Sequence, residues 1–234
     1  MRSLEELIDL TDPAMPLIRE WAQRAVRPVE VLPPSDARVS VLLRTQVSTH
    51  TPMGAVAYET GGILIDQGWI RILGSGHPRL NRTLPDWNKG RSDDFYLVAD
   101  DAVGGFFAWN GGALAKARDG MFYLAPDTLD WMDMEGMGYS QFLEWACMGK
   151  VGEFYANLRW QGWEQEAAKL AGDLCFFFYP PLFTKEGAGC RGERSVVPVA
   201  EAWVFNQDMR RQLKDPGEPQ RFRIRDPRAG WDRT

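Results

Sequence analysis

The chain has 234 residues, enough for one domain with a full core, and its 44% hydrophobic and 25% charged content is ordinary for a globular protein. A formal net charge of -5 argues against a broad nucleic-acid surface, and no apolar run approaches the roughly 18 residues of a membrane span. The amino terminus, MRSLEELIDLTDP, lacks the basic flank and apolar stretch of a secretion signal, so a cytoplasmic protein without membrane attachment is expected.

In chain order, Ser3-Leu4-Glu5-Glu6 has the spacing of a capping box and predicts a short helix through Leu10. Asp12-Pro13 restarts the chain, and Leu17, Ile18, Trp21 and Ala25 then share one helical face. The stretch from Arg27 to Pro34 holds three prolines and predicts an extended connector. Ser35 can cap a further helix carrying Val39, Leu42, Leu43 and Val47, and Thr51-Pro52 opens a brief helical turn.

Short β-branched and aromatic runs bounded by turn residues follow, and these are strand signals. They are Ile63–Asp66, Trp69–Leu73, Phe95–Ala99 and Gly105–Asn110, with hairpin connections at Asp66-Gln67-Gly68 and Asp100 to Gly104. A polar loop, Gly74 to Asp94, interrupts them. Two more strands are expected at Met121–Leu124 and Leu129–Met132. Helical faces follow after Ser140 (Phe142, Leu143, Ala146, Cys147), at Phe154, Tyr155 and Leu158, and from Trp163 to Leu170. Cys175–Tyr179 reads as a buried strand, Thr184–Arg194 as a loop and Val199–Leu213 as a helix. From Asp215 to Thr234 the chain is rich in Pro, Gly and Arg and predicts a flexible tail behind a single domain of residues 1–214. The fold class expected is α+β, an antiparallel central sheet flanked by amino- and carboxy-terminal helices.

Candidate chemistry is sparse. Asp100-Asp101 could form an acid–base or metal pair, but adjacent strand residues face opposite ways, and aspartates near a hairpin serve turn geometry. His77 lies in the glycine loop Gly74-Ser75-Gly76-His77-Pro78, where no base or oxyanion hole is in sight; a histidine bonded to backbone is the simpler expectation. The glycine pairs at 61–62, 104–105 and 111–112 lack phosphate-loop spacing, so no nucleotide cofactor is expected. The three cysteines show neither CxxC nor CxxH spacing, which predicts no disulfide framework and no metal centre. Cys190, near Lys185, Arg191 and Arg194, is the one thiol whose neighbours would lower its pKa, but with no partner histidine in sight an inert thiol is the simpler expectation. Trp87 sits in the polar loop with little core to join, which points to a contact surface. The expected surface comprises Trp69, His77, Asp86, Trp87, Asp100, Asp101, Trp109 and Asn110.

Three segments carry a resemblance: Met53 to Gly62, Gly68 to Pro78, and Phe95 to Phe107. They resemble an uncharacterised bacterial family of the DUF 2625 type, over most of the chain from Ser3 to about Leu213. The order of elements, with the glycine-bounded strand Gly104 to Asn110 and the helix from Tyr139 to Trp145, is also similar to the SUKH superfamily of Syd-like and Smi/Knr-like proteins. That resemblance implies an α+β fold and an immunity or regulatory protein that binds another protein. The function expected is therefore a non-enzymatic protein-binding module. The alternatives are a hydrolase or transferase around His77, Asp86, Asp100 and Asp101, and a structural homo-oligomer.

Overall fold

A computed structural model describes residues 1–214. The flexible tail expected from Asp215 onward lies outside the described residues. Seven strands form one antiparallel sheet whose spatial order is their sequence order: β1 (Val29–Leu32), β2 (Gly62–Ile65), β3 (Ile70–Leu73), β4 (Phe95–Asp101), β5 (Phe106–Asn110), β6 (Met121–Leu124) and β7 (Trp131–Asp133). A second, two-stranded sheet joins β8 (Leu174–Tyr179) to β9 (Glu193–Pro198). The α+β class expected from the sequence is the class observed.

The first hairpin shows how local chemistry fixes the sheet. Asp66, Gln67 and Gly68 all have positive φ, and Ile65 faces Ile70 across the turn they make. Every residue of β2 and β3 is buried, so these strands are covered on both faces. Part of the cover comes from the helices. In α2 (Met15–Arg24), Met15, Ile18 and Trp21 turn inward; α4 (Pro52–Glu59) is buried from Met53 to Ala57; α6 (Tyr139–Met148) contributes Phe142, Leu143 and Ala146. These three helices pack on one another, and α4 also packs on β2.

Several expectations are corrected. The connector at Arg27–Pro34 holds β1, an edge strand paired with β2 through Val29↔Ile65 and Val31↔Ile63; the prolines only bound it. The residues from Glu193 leave the expected loop and enter β9, in register with Tyr179 to Leu174. The first helix, α1 (Leu4–Leu7), keeps the Ser3–Glu6 capping box but stops short of Leu10. Helix α2 starts after Ala14 instead of at Asp12-Pro13, and its Leu17 is exposed. Helix α3 (Arg38–Thr45) is entered from Ala37, with Ser35 Oγ accepting from the Ala37 amide, and buries Val41 and Leu42 while Val39 stays exposed. Gly138, not Ser140, precedes α6. The face through Phe154 and Leu158 is broken: α7 spans only Val151–Phe154, and α8 only Trp163–Ala167. At the other end of the chain, α9 (Val199–Lys214) packs on β8 and β9.

Candidate functional site

The expected polar loop between β3 and β4 contains a short helix, α5 (Leu84–Asn88), and the open cleft beside it is the candidate site. Thr83 caps the helix, its hydroxyl accepting from the Asp86 amide at 3.3 Å and donating to the Asp86 carboxylate at 2.6 Å. Pro85 supplies the preset φ of a first turn. Asn88 then locks α5 to the sheet. Its buried amide donates to the Leu97 carbonyl at 2.8 Å and accepts from the Leu97 amide at 2.7 Å, where the β4–β5 register shifts between Leu97 and Ala99. The side chain thus occupies the place of a neighbouring strand.

Trp87 is consequently inside. It is 4% exposed and stacks on Phe106 with centroids 6.3 Å apart, so the expected exposed contact at Trp87 is corrected: β5 supplies the core it needed. What reaches the cleft is a pair of arginines laid over its ring. The guanidinium carbons of Arg82 and Arg91 lie 4.6 and 4.3 Å from the ring centroid, within cation–π range. Arg82 donates to Asp100 at 2.5 Å and to the Gly172 carbonyl at 2.6 Å, while its Nε is buried with no acceptor among the described residues. Arg91 donates to the Trp87 carbonyl at 3.1 Å and makes no ion pair among the described residues. Burial, and then the neighbouring Arg82 charge, hold its pKa below the ordinary arginine value. Asn81, Asp173 and the entry to α9 at Pro198 and Ala200 complete a cleft of about 410 Å³.

Behind the cleft lies a buried charge cluster. Asp100 is fully buried between two guanidiniums, Arg71 at 2.6 Å and Arg82 at 2.5 Å. Arg71 also donates to the carbonyls of Asp101 and Leu174. One carboxylate thus faces two cations, and the excess is positive. Asp101 points away from it. One of its oxygens accepts from the amides of Val103 and Gly105 at 3.0 and 2.8 Å, closing the β4–β5 turn; the other accepts from the hydroxyls of Tyr123 and Tyr155 at 2.6 and 3.0 Å. Burial raises its pKa, against the four hydrogen bonds that favour the carboxylate. A Cβ on Gly105 would come within 2.2 Å of the Tyr123 hydroxyl, so the site accepts only glycine as built.

The remaining expected site residues are dispersed. Trp69 is fully buried among Tyr155, Trp160 and Trp163, with centroids at 5.6, 5.7 and 4.9 Å. Asn110 is buried and clamps the following loop, donating to the Ala115 and Ala117 carbonyls and accepting from the Gly112 and Leu114 amides. Trp109 is half-buried against the core. His77 is bonded to backbone: it pairs with Leu80, and its Nδ1 accepts from the Arg79 amide at 3.2 Å. Asp86 is exposed and ion-paired with Arg44 at 2.7 Å; the Thr83 hydroxyl and then Arg44 hold its pKa low. Only Asp86 and Trp87 line the cleft, with Asp100 joined to it through Arg82. Trp69, Asp100, Asp101 and Asn110 have no surface to offer, which corrects the expected contact patch. The lowered pKa expected at Cys190 is corrected, while the inert thiol expected there stands: burial pushes it up to about 11 despite Arg194.

Arg82 and Arg91 went unnoticed in the sequence. The signal available was spacing, since Arg91 stands four residues after Trp87 and Thr83-Leu84-Pro85 sets a capping hydroxyl and an early proline at a helix entry, as Thr51-Pro52 does.

A family profile described as "Protein of unknown function DUF2625" matches residues 4–202. The chain belongs to this family. It is 39% identical over 216 residues to a "Putative uncharacterized protein YbfG" of Escherichia coli (strain K12), an alignment covering 90% of this chain and 98% of that one. It is also 39% identical over 190 residues to an "Uncharacterized protein" of Haemophilus influenzae (strain ATCC 51907 / DSM 11121 / KW20 / Rd), covering 78% of this chain and 83% of the relative. No solved structure matches, and nothing in these comparisons extends the SUKH resemblance. No helix among the described residues is long and apolar enough to cross a membrane.

Proposed function

We propose that this chain is a non-enzymatic, cytoplasmic protein-binding module whose contact site is the cleft beside α5. The observation that carries this reading is Arg91: a guanidinium held over Trp87 at an open cleft, without a carboxylate partner among the described residues. Arginine on a fixed aromatic support is a common anchor of protein interfaces, because little side-chain freedom remains to be lost on binding. The rival hydrolase or transferase needs His77 and the carboxylates in one pocket. His77 is not among the residues lining the cleft, and Asp100 and Asp101 are buried in separate hydrogen-bond networks.

The test is a photo-crosslinking amino acid at Asn81, exposed on the cleft rim, in the full chain expressed in its own bacterium. A discrete protein adduct that disappears with Arg91→Glu supports the reading. An adduct indifferent to Arg91→Glu, or none, overturns it, and an adduct between two copies of this chain replaces it with the homo-oligomer.

A further inference from the structure

We propose that the cleft beside α5 is a binding site for a dianionic phosphate group, gripped by Arg91 and Arg82. The proposal rests on reading this cleft as the contact site and adds the chemistry of what enters it. Two observations carry it. First, two guanidiniums lie over one indole ring, so their like charges repel, and an anion in the cleft would relieve that repulsion. Secondly, the anions already present do not supply that offset. Asp86 is engaged by Arg44; Asp100 is shared between Arg71 and Arg82; the Asp173 carboxylate is 3.4 Å from the Asn81 amide and makes no ion pair with Arg91.

A phosphate group fits better than a carboxylate on charge. The Arg71–Asp100–Arg82 cluster leaves one positive charge and Arg91 adds another, a sum that one dianion matches, and guanidinium takes phosphate oxygens in a bidentate fork. The Asp173 carboxylate on the cleft wall works against any anion, and its removal is therefore informative. The phosphate could be free, on a small phosphomonoester, or on a phosphorylated side chain; all three share the recognised group.

The experiment is calorimetric titration of the full chain with inorganic phosphate, a phosphoserine peptide, its unphosphorylated counterpart, and acetate, at constant ionic strength. Inorganic phosphate and the phosphopeptide should bind, with acetate and the plain peptide silent. Arg91→Gln should weaken phosphate binding by roughly tenfold or more, the expected loss of a charge-assisted pair, and Arg91→Lys should recover part of it. Asp173→Asn should tighten binding by roughly two- to fivefold, the scale of a partly screened like-charge contact. Tighter binding of the phosphopeptide than of inorganic phosphate identifies a phosphorylated partner; equal binding identifies a free phosphate. No phosphate binding above the acetate control, or phosphate binding indifferent to both Arg91 variants, overturns the proposal. Phosphate binding without any protein adduct at Asn81 keeps this inference and sinks the partner reading; the reverse outcome sinks this inference alone.

Discussion

Asp101 shows how much one side chain can be asked to do. Its two oxygens take four donors, two from the β4–β5 turn and two from tyrosines on β6 and just past α7, so the carboxylate joins a turn to the core. Burial nonetheless raises its pKa above the ordinary aspartate value of 3.8. The folded chain then holds a proton that the unfolded chain has released, so stability is fullest below the unfolded pKa and falls as pH rises through the folded one. Urea denaturation across that range should show this decline in the wild type and a flatter profile in Asp101→Asn; identical profiles would remove Asp101 as its source. Such a role was half legible. The rule that neighbouring strand residues face apart separated Asp100 from Asp101, and turn preference anticipated the hairpin; the tyrosine partners, 22 and 54 residues away, left no local trace. Trp87 was misplaced for the same reason, since the ring it packs on belongs to another strand.

At the scale of elements, strands with β-branched runs and Gly or Asn boundaries were readable, and so was the helical face of α6. Two elements were not: β1 lies among the prolines of Arg27–Pro34, and α5 has only five residues; both are fixed by partners, β1 by the register of β2 and α5 by Asn88. Asn88 makes a measurable case. Asn88→Ala should cost about 1–3 kcal/mol by leaving both polar groups of Leu97 buried and unpaired. It should also release α5, so phosphate binding should weaken alongside stability. A variant as stable as wild type in urea would show that α5 is held by Trp87 packing alone.

For the molecule as a whole, the cysteines offer three reporters in three places: Cys147 on α6, Cys175 on β8 and Cys190 in the turn before β9. All are buried, and burial raises each thiol, to about 11, 12 and 11 respectively. With a thiol reagent under native conditions none should react at the rate of a free cysteine. In rising urea, the three should become reactive in one transition if residues 1–214 fold as one unit, which the sequence length and unbroken patterning suggest. Separate transitions would divide the chain into independent parts.

The sequential order of the large sheet bears on how the protein is made. From β2 onward each strand pairs with the strand before it in the sequence, so a chain leaving the ribosome can extend the sheet strand by strand as it lengthens. The centre of that sheet cannot be finished on the same schedule. Arg71 waits for the Leu174 carbonyl 103 residues downstream, and Arg82 for Gly172, 90 residues on. Until that segment emerges, all seven strands of the large sheet are available while two arginines beside it lack an acceptor each, so ribosome-bound chains truncated before Gly172 should bind a chaperone more than chains extended past Leu174.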